Sequence, residues 1–197
     1  MRHSLACVLG VTLCLGAGGF ATGSARESSP APRAAIEVLL TLAPEVPAPS
    51  RTALIHETTA IWQADGVTLT WLPGAADLPP ARGRLRVLIT RRHGCNAPEG
   101  QQRLTVGELL RPRTGHPAAV ISLDVAECIV RSSGFPESAP LHHRRLGLVL
   151  GRAVAHEIGH YILDTHVHAR QGLMRPRFDA REFAGLDSGA FMLAPGS

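Results

Sequence analysis

Apolar and polar positions alternate most cleanly in Arg84–Thr90, where Leu85, Val87 and Ile89 face one way and Arg84 and Arg86 the other. That period of two predicts a half-buried strand. Val67–Leu72 alternates likewise, with Val67, Leu69 and Trp71 on one side, and Ile36–Leu42 and Ala118–Asp124 are further β-type runs. A longer period sets in after Pro47 and Pro49, where Ser50 is placed to cap a helix that runs to about Asp65 and ends at Gly66. Ile55, Thr59 and Trp62 share one face of it. Pro73–Gly83 reads as a turn-rich connector, 91–117 as loop and 132–140 as a linker. Ser138 then caps a helix from Leu141 to Leu163, with Pro140 tolerated in its first turn. The order β-α-β-β-β-α predicts an α+β domain in which a mixed sheet packs on its helices.

The first 25 residues follow a different pattern. Arg2 and His3 precede an apolar run, Leu5 to Phe20, and Gly23 and Ala25 stand where a signal peptidase cuts. The run is short and broken by glycines, which favours a cleaved export segment (1–25) over a membrane anchor. Residues 26–34 read as a flexible tether, and 35–197 as one folded domain. Localisation is therefore expected to be secreted or periplasmic, with no stable membrane insertion after cleavage. Cleavage would remove Cys7 and Cys14 and leave Cys95 and Cys128, an even pair in an oxidising compartment. A bridge between them would add about 3–4 kcal/mol by the loop-entropy estimate.

Composition narrows the function. The chain has 20 basic residues, all arginine, against 16 acidic ones, and only 4% of it is aromatic. The arginines are scattered, without the stripe and stacking platforms of a nucleic-acid surface, so no nucleic-acid partner is expected. No serine-hydrolase elbow, phosphate-binding glycine loop or paired-cysteine redox motif occurs.

The chemistry concentrates in residues 156–176, HEIGHYILDTHVHARQGLMRP. His156 and His160 are four apart on the long helix, so both imidazoles project from one face and can reach one Zn²⁺. Glu157 lies beside the metal without ligating it, placed to take a proton from water as general base. Two histidines on a helix are ordinarily polar surface or hydrogen-bonded core. This helix is otherwise apolar, and burying a glutamate and two histidines in it costs several kcal/mol unless a metal compensates. A third ligand is required, and both His166 and His168 follow the helix. In HExxHxxGxxH the sixth residue after the second histidine ligates, which here is His166. The glycine of that pattern is replaced by Leu163, which resists positive φ. A helix that runs on slightly would bring His168 to the metal instead.

The stretch resembles the metzincin clan of zinc metalloproteases and, within it, the matrixins. Counted from His166, Met174 occupies the position of that clan's Met-turn, inside Gly172-Leu173-Met174, and Pro176 matches the Met-x-Pro that often follows. It is also similar to small exported bacterial proteins ending in HExGHxLLGxxxHxxxGLMRA, where the later histidine corresponds to His168. That similarity extends over a further helix at 179–187. The two resemblances imply a zincin-like (metzincin-like) fold, a Zn²⁺ cofactor, peptide or protein substrates, and Met174 as an apolar floor under the ligands. The second favours His168, with His166 as alternate. They further imply that Ala118–Asp124 is an edge along which an extended peptide pairs, the alternative being an ordinary core strand. In another zincin class the third ligand is a glutamate on a later helix, here Glu182.

The expected function is a secreted zinc metallopeptidase. The competing reading is a non-catalytic zinc-binding module on the same fold. Tyr161, the sole tyrosine, is expected to be packed. His142 and His143 read as surface residues at the start of the long helix, and His56, His93 and His116 as isolated.

Overall fold

The computed structural model describes residues 34–74, 78–91, 106–136 and 138–194, all within one compact unit, Ala31–Ser197. The segment expected to direct export, the expected tether up to residue 33, Cys95 and His93 lie outside the described residues. Cys128 is disulfide-bonded. No helix among the described residues is long and apolar enough to cross a membrane.

The fold is α+β with a mixed five-stranded sheet. Its strands are β1 (Ala34–Leu42), β2 (Val67–Pro73), β3 (Arg84–Thr90), β4 (Gly107–Leu110) and β5 (Ala118–Ser122), in the order β2-β1-β3-β5-β4. All pairings are parallel except β4 with β5. The helices are α1 (Ala48–Ala64), α2 (Leu123–Ser132), α3 (Ala139–Ile162) and a single turn, α4 (Ala180–Phe183). β3 follows the alternation residue for residue: Leu85, Val87 and Ile89 are buried, and the arginines between them less so.

Several expectations need correction. β1 begins at Ala34, the last residue assigned to the tether. α1 begins at Ala48 with Pro47 as its N-cap, so Ser50 lies inside the helix, buried, with its hydroxyl donating to the His143 carbonyl at 2.8 Å. The segment read as loop contains β4, whose four residues are too short and too mixed to show a period. The strand expected over Ala118–Asp124 stops at Ser122. The Ser122 side chain accepts from the Val125 N–H and caps α2, a helix the sequence reading placed nowhere. Because β4 pairs on its outer side, β5 is an interior strand and not the sheet edge; among the described residues the edge on that side is β4. Ser138 does precede α3, but its side chain makes no capping bond.

α1 and α3 lie against each other in a constant register of 93 residues. Ser50 donates to the carbonyl of His143, Thr58 to that of Gly151 at 2.9 Å, and the Trp62 indole to that of Ala155 at 3.1 Å. A Cβ on Gly147 would meet Ala53 Cβ and the Ser50 carbonyl at 2.5 Å, so glycine permits this close approach. The buried face of α1 is thus Ser50, Leu54, Glu57, Thr58, Ile61 and Trp62. The expected face shares only Trp62 with it, because three of the buried residues are polar and were invisible to a hydrophobic period.

Glu57 on α1 is answered by Arg152 on α3, which is 0% exposed. Arg152 Nε bonds Glu57 Oε1 at 2.7 Å, and its terminal nitrogens donate to the carbonyls of Glu182, Phe183, Gly185 and Asp187. Ser188 Oγ closes the ring by donating to Glu57, and Phe191 lies under the guanidinium at 4.1 Å. Burial lowers the Arg152 pKa, and the Glu57 charge opposes that shift. One buried cation thereby ties the segment after α4 to the two long helices. Removing its counter-charge would leave Arg152 uncompensated. Glu57→Ala is therefore expected to lower the unfolding free energy in urea by about 3–5 kcal/mol.

Candidate metal centre

α3 spans 24 residues and carries the site in its last two turns, where an apolar helix delivers His156 and His160 one turn apart. His156 Nδ1 lies 2.8 Å from the Leu173 carbonyl, and His160 Nδ1 lies 2.8 Å from the Thr165 carbonyl. A carbonyl only accepts, so each Nδ1 is the protonated nitrogen and each neutral ring presents a bare Nε2. The two Nε2 atoms face each other at 3.1 Å. Two lone pairs at that separation repel unless an electron-poor centre lies between them. Two Zn–N bonds of about 2.0–2.1 Å at a tetrahedral angle place their nitrogens about 3.3–3.4 Å apart. The donor set therefore fits a divalent ion with little adjustment.

His168 completes a cluster of three histidines that could hold a metal ion. Its ring lies 5.2 Å from that of His156 and 4.9 Å from that of His160, and the ligand atoms of the three histidines fall within 4.8 Å of one another. His166 stands outside this group, its ring 6.3 Å from that of His160. The backbone explains the selection. Leu163 keeps a right-handed conformation (φ −79°) as the C-cap, and the positive φ expected of the motif's glycine falls one residue later, on Asp164 at +48°. Aspartate tolerates that region better than leucine. The Thr165 N–H then reaches back to the His160 carbonyl at 3.4 Å, the six-to-one bond of a Schellman turn. With the turn delayed, the chain returns to the site at His168. Glu182 is directed elsewhere: it pairs with Arg175 and stays outside the cluster.

The Gly172-Leu173-Met174 turn lies beneath the ligands. Gly172 has φ +70°, and a Cβ there would collide with the Met192 carbonyl. The same carbonyl accepts from the Leu173 N–H at 2.8 Å, while the Leu173 carbonyl orients His156. Met174 is buried, and its sulfur occupies the space a side chain on Gly159 would need. Gly159, immediately before His160 on α3, is a site residue that the sequence pattern did not single out. Its signal was a glycine inside a helix where alanine would be more stable. Gly107 is another: a Cβ on it would meet Glu157 Oε1 at 2.8 Å, so the first residue of β4 lies directly against the candidate base. Tyr161 is half-buried, and its hydroxyl accepts from the Gly83 N–H at 3.1 Å. Of the other histidines, His56 is exposed, His116 Nε2 meets the Leu78 carbonyl at 2.8 Å, and His142 and His143 lie half-buried beside each other.

Burial dominates the electrostatics. It holds the His156 imidazole down at about 4, with the Leu173 hydrogen bond opposing and the neighbouring imidazoles adding. His160 is lowered by burial too, against the Thr165 bond. Glu157 is 5% exposed, and burial, with the Glu108 charge adding, pushes its carboxyl up to about 7. Deprotonated metal ligands and a base near neutrality suit metal-assisted hydrolysis. No protein-family model, curated protein or solved structure matches this chain.

Two outcomes follow for stability. A raised Glu157 pKa gives the metal-free fold stability that is fully present below the unfolded value of 4.5 and lost as pH rises through about 7. The stability gain of Glu157→Gln over wild type, measured by urea unfolding with chelator present, should thus grow by up to ~3 kcal/mol between pH 4.5 and 7.5. Gly159→Ala forces Met174 out of place and should destabilise the protein by about 1–3 kcal/mol in the same assay.

Proposed function

We propose that the chain is a zinc-dependent peptidase of the zincin type, exported by residues 1–25 and working outside the cytoplasm on peptide or protein substrates. The observation that carries this reading is the pair of bare Nε2 atoms at 3.1 Å, with His168 completing a set of three histidines. Among the described residues the set has three donors, and a zinc site with three protein ligands leaves a position for water, whereas structural zinc is closed by four. That distinction favours an enzyme over a non-catalytic zinc-binding module. Zinc held there would acidify water and polarise a carbonyl as a Lewis acid.

The chain's own residues supply the rest. Glu157, the next residue on the helix, accepts the proton of the attacking water and returns it to the leaving amine. Its raised pKa applies to the metal-free site; a nearby cation favours the carboxylate and draws the value down toward that of a competent base. Met174 fills the space beneath the ligands and keeps the imidazoles from sinking into the core. Among the described residues β4 is an edge strand of the sheet, and its first residue lies against Glu157. An extended peptide that adds to this edge would have its backbone fixed beside the base, with affinity from main-chain hydrogen bonds.

Digestion of a peptide library tests the reading. The wild-type protein loaded with zinc should cleave, and Glu157→Ala should lose at least about 10²-fold in rate. The variant should keep its zinc. Equal cleavage by both proteins would remove Glu157 from the mechanism, and no cleavage by either would favour the non-catalytic module. His168→Ala should lose zinc, whereas His166→Ala should retain it.

A further inference from the structure

We propose that Arg111 is a positioning residue of the metal centre, pinning the end of α3 so that the chain turns toward His168. The inference rests on the zinc reading above. Arg111 directly follows β4 and reaches across to α3. One terminal nitrogen donates to the His160 carbonyl at 2.8 Å, and the other pairs with the Asp164 carboxylate. These two acceptors bracket the turn that decides which histidine returns to the site. Asp164 holds the positive φ, and Thr165, the next residue, both closes the turn onto the His160 carbonyl and orients the His160 ring through its own carbonyl. The guanidinium fork thus grips the backbone of one ligand and the hinge of the loop that carries another.

The two contacts are unequal. The Asp164 side chain is 83% exposed, and such ion pairs contribute little in water. The bond to the His160 carbonyl is partly buried and places a cation at the C-terminus of a long helix, where it gives that carbonyl a second, shorter bond beside the one from the Thr165 N–H and opposes the negative end of the dipole. The carbonyl contact is therefore the principal one, and the planar guanidinium is what lets one side chain hold it and the Asp164 carboxylate together. Lysine can supply the charge but not the fork. The arrangement also couples the sheet edge to the metal ligands, because the residue that leaves β4 is the one that fixes the α3 terminus.

Zinc affinity, measured by chelator competition on the full chain after metal removal, tests the assignment. Arg111→Met keeps the aliphatic stem and should bind zinc about tenfold more weakly than wild type, the size of effect seen when the outer partners of metal ligands are removed. Arg111→Lys should recover part of the loss, and it carries the test should the methionine variant fail to fold. The visible spectrum of the cobalt-loaded Arg111→Met protein should shift, because the His160 ring and its neighbour relax. Metal-free stability in urea should barely change. Binding within twofold of wild type with an unchanged cobalt spectrum would overturn the proposal, as would an affinity loss fully matched by lost metal-free stability. If the wild-type protein itself binds no zinc, the zinc reading falls first and this one with it. If wild type binds and Arg111→Met binds equally well, only the positioning role fails.

Discussion

Two imidazole nitrogens with no protons between them face each other at 3.1 Å, and much of the structure exists to keep them so. Each ring is locked by a backbone carbonyl behind it, one from Leu173 and one from Thr165. Those carbonyls come from two separate turns downstream of α3. Neither turn is free: the first is bonded to the chain at Met192, and the second closes on the helix end. Without a shared cation the arrangement stores lone-pair repulsion and the burial cost of neutral imidazoles. With one, the same geometry becomes attractive. Metal binding and local folding are then one equilibrium.

The scaffold behind this site is unusually polar for a core. α1 meets α3 through a ladder of hydroxyl and indole donors aimed at α3 carbonyls, beside glycines that let the backbones approach. Arg152 extends the same logic, satisfying the carbonyls of a segment with little secondary structure of its own. From there the chain passes Phe191, which packs with Phe178 and Phe183, and reaches Met192, whose carbonyl holds the Leu173 turn. A buried ion pair is thereby linked, through a short covalent path, to the carbonyl that orients His156. Its worth lies in fixing one conformation of the C-terminal segment more than in net stabilisation.

Much of this was legible in the residues, and the failures have physical causes. β3 and the long helix were plain, because Leu85, Val87 and Ile89 alternate and the α3 core positions repeat at helical spacing. The α+β class followed from them. The long helix and its candidate ligands were legible because histidines on an apolar helix demand compensation. The choice between His166 and His168 was not, since it turns on where a single left-handed residue falls, and a one-residue delay from Leu163 to Asp164 decides it. β4 was hidden by its length and α2 by a strand that runs straight into it. The buried face of α1 escaped because Ser50, Glu57 and Thr58 find partners across the helix pair that no local pattern shows. The Arg152 hub joins positions far apart in sequence and leaves no trace in any window.

The account stands on a cation belonging between those imidazoles. The most direct measurement is a zinc titration of the metal-stripped wild-type protein, with a His156→Ala, His160→Ala double variant alongside. The account predicts one tightly held equivalent in the wild type and none in the variant. A wild-type protein that stays folded yet takes up no more zinc than the variant would contradict it.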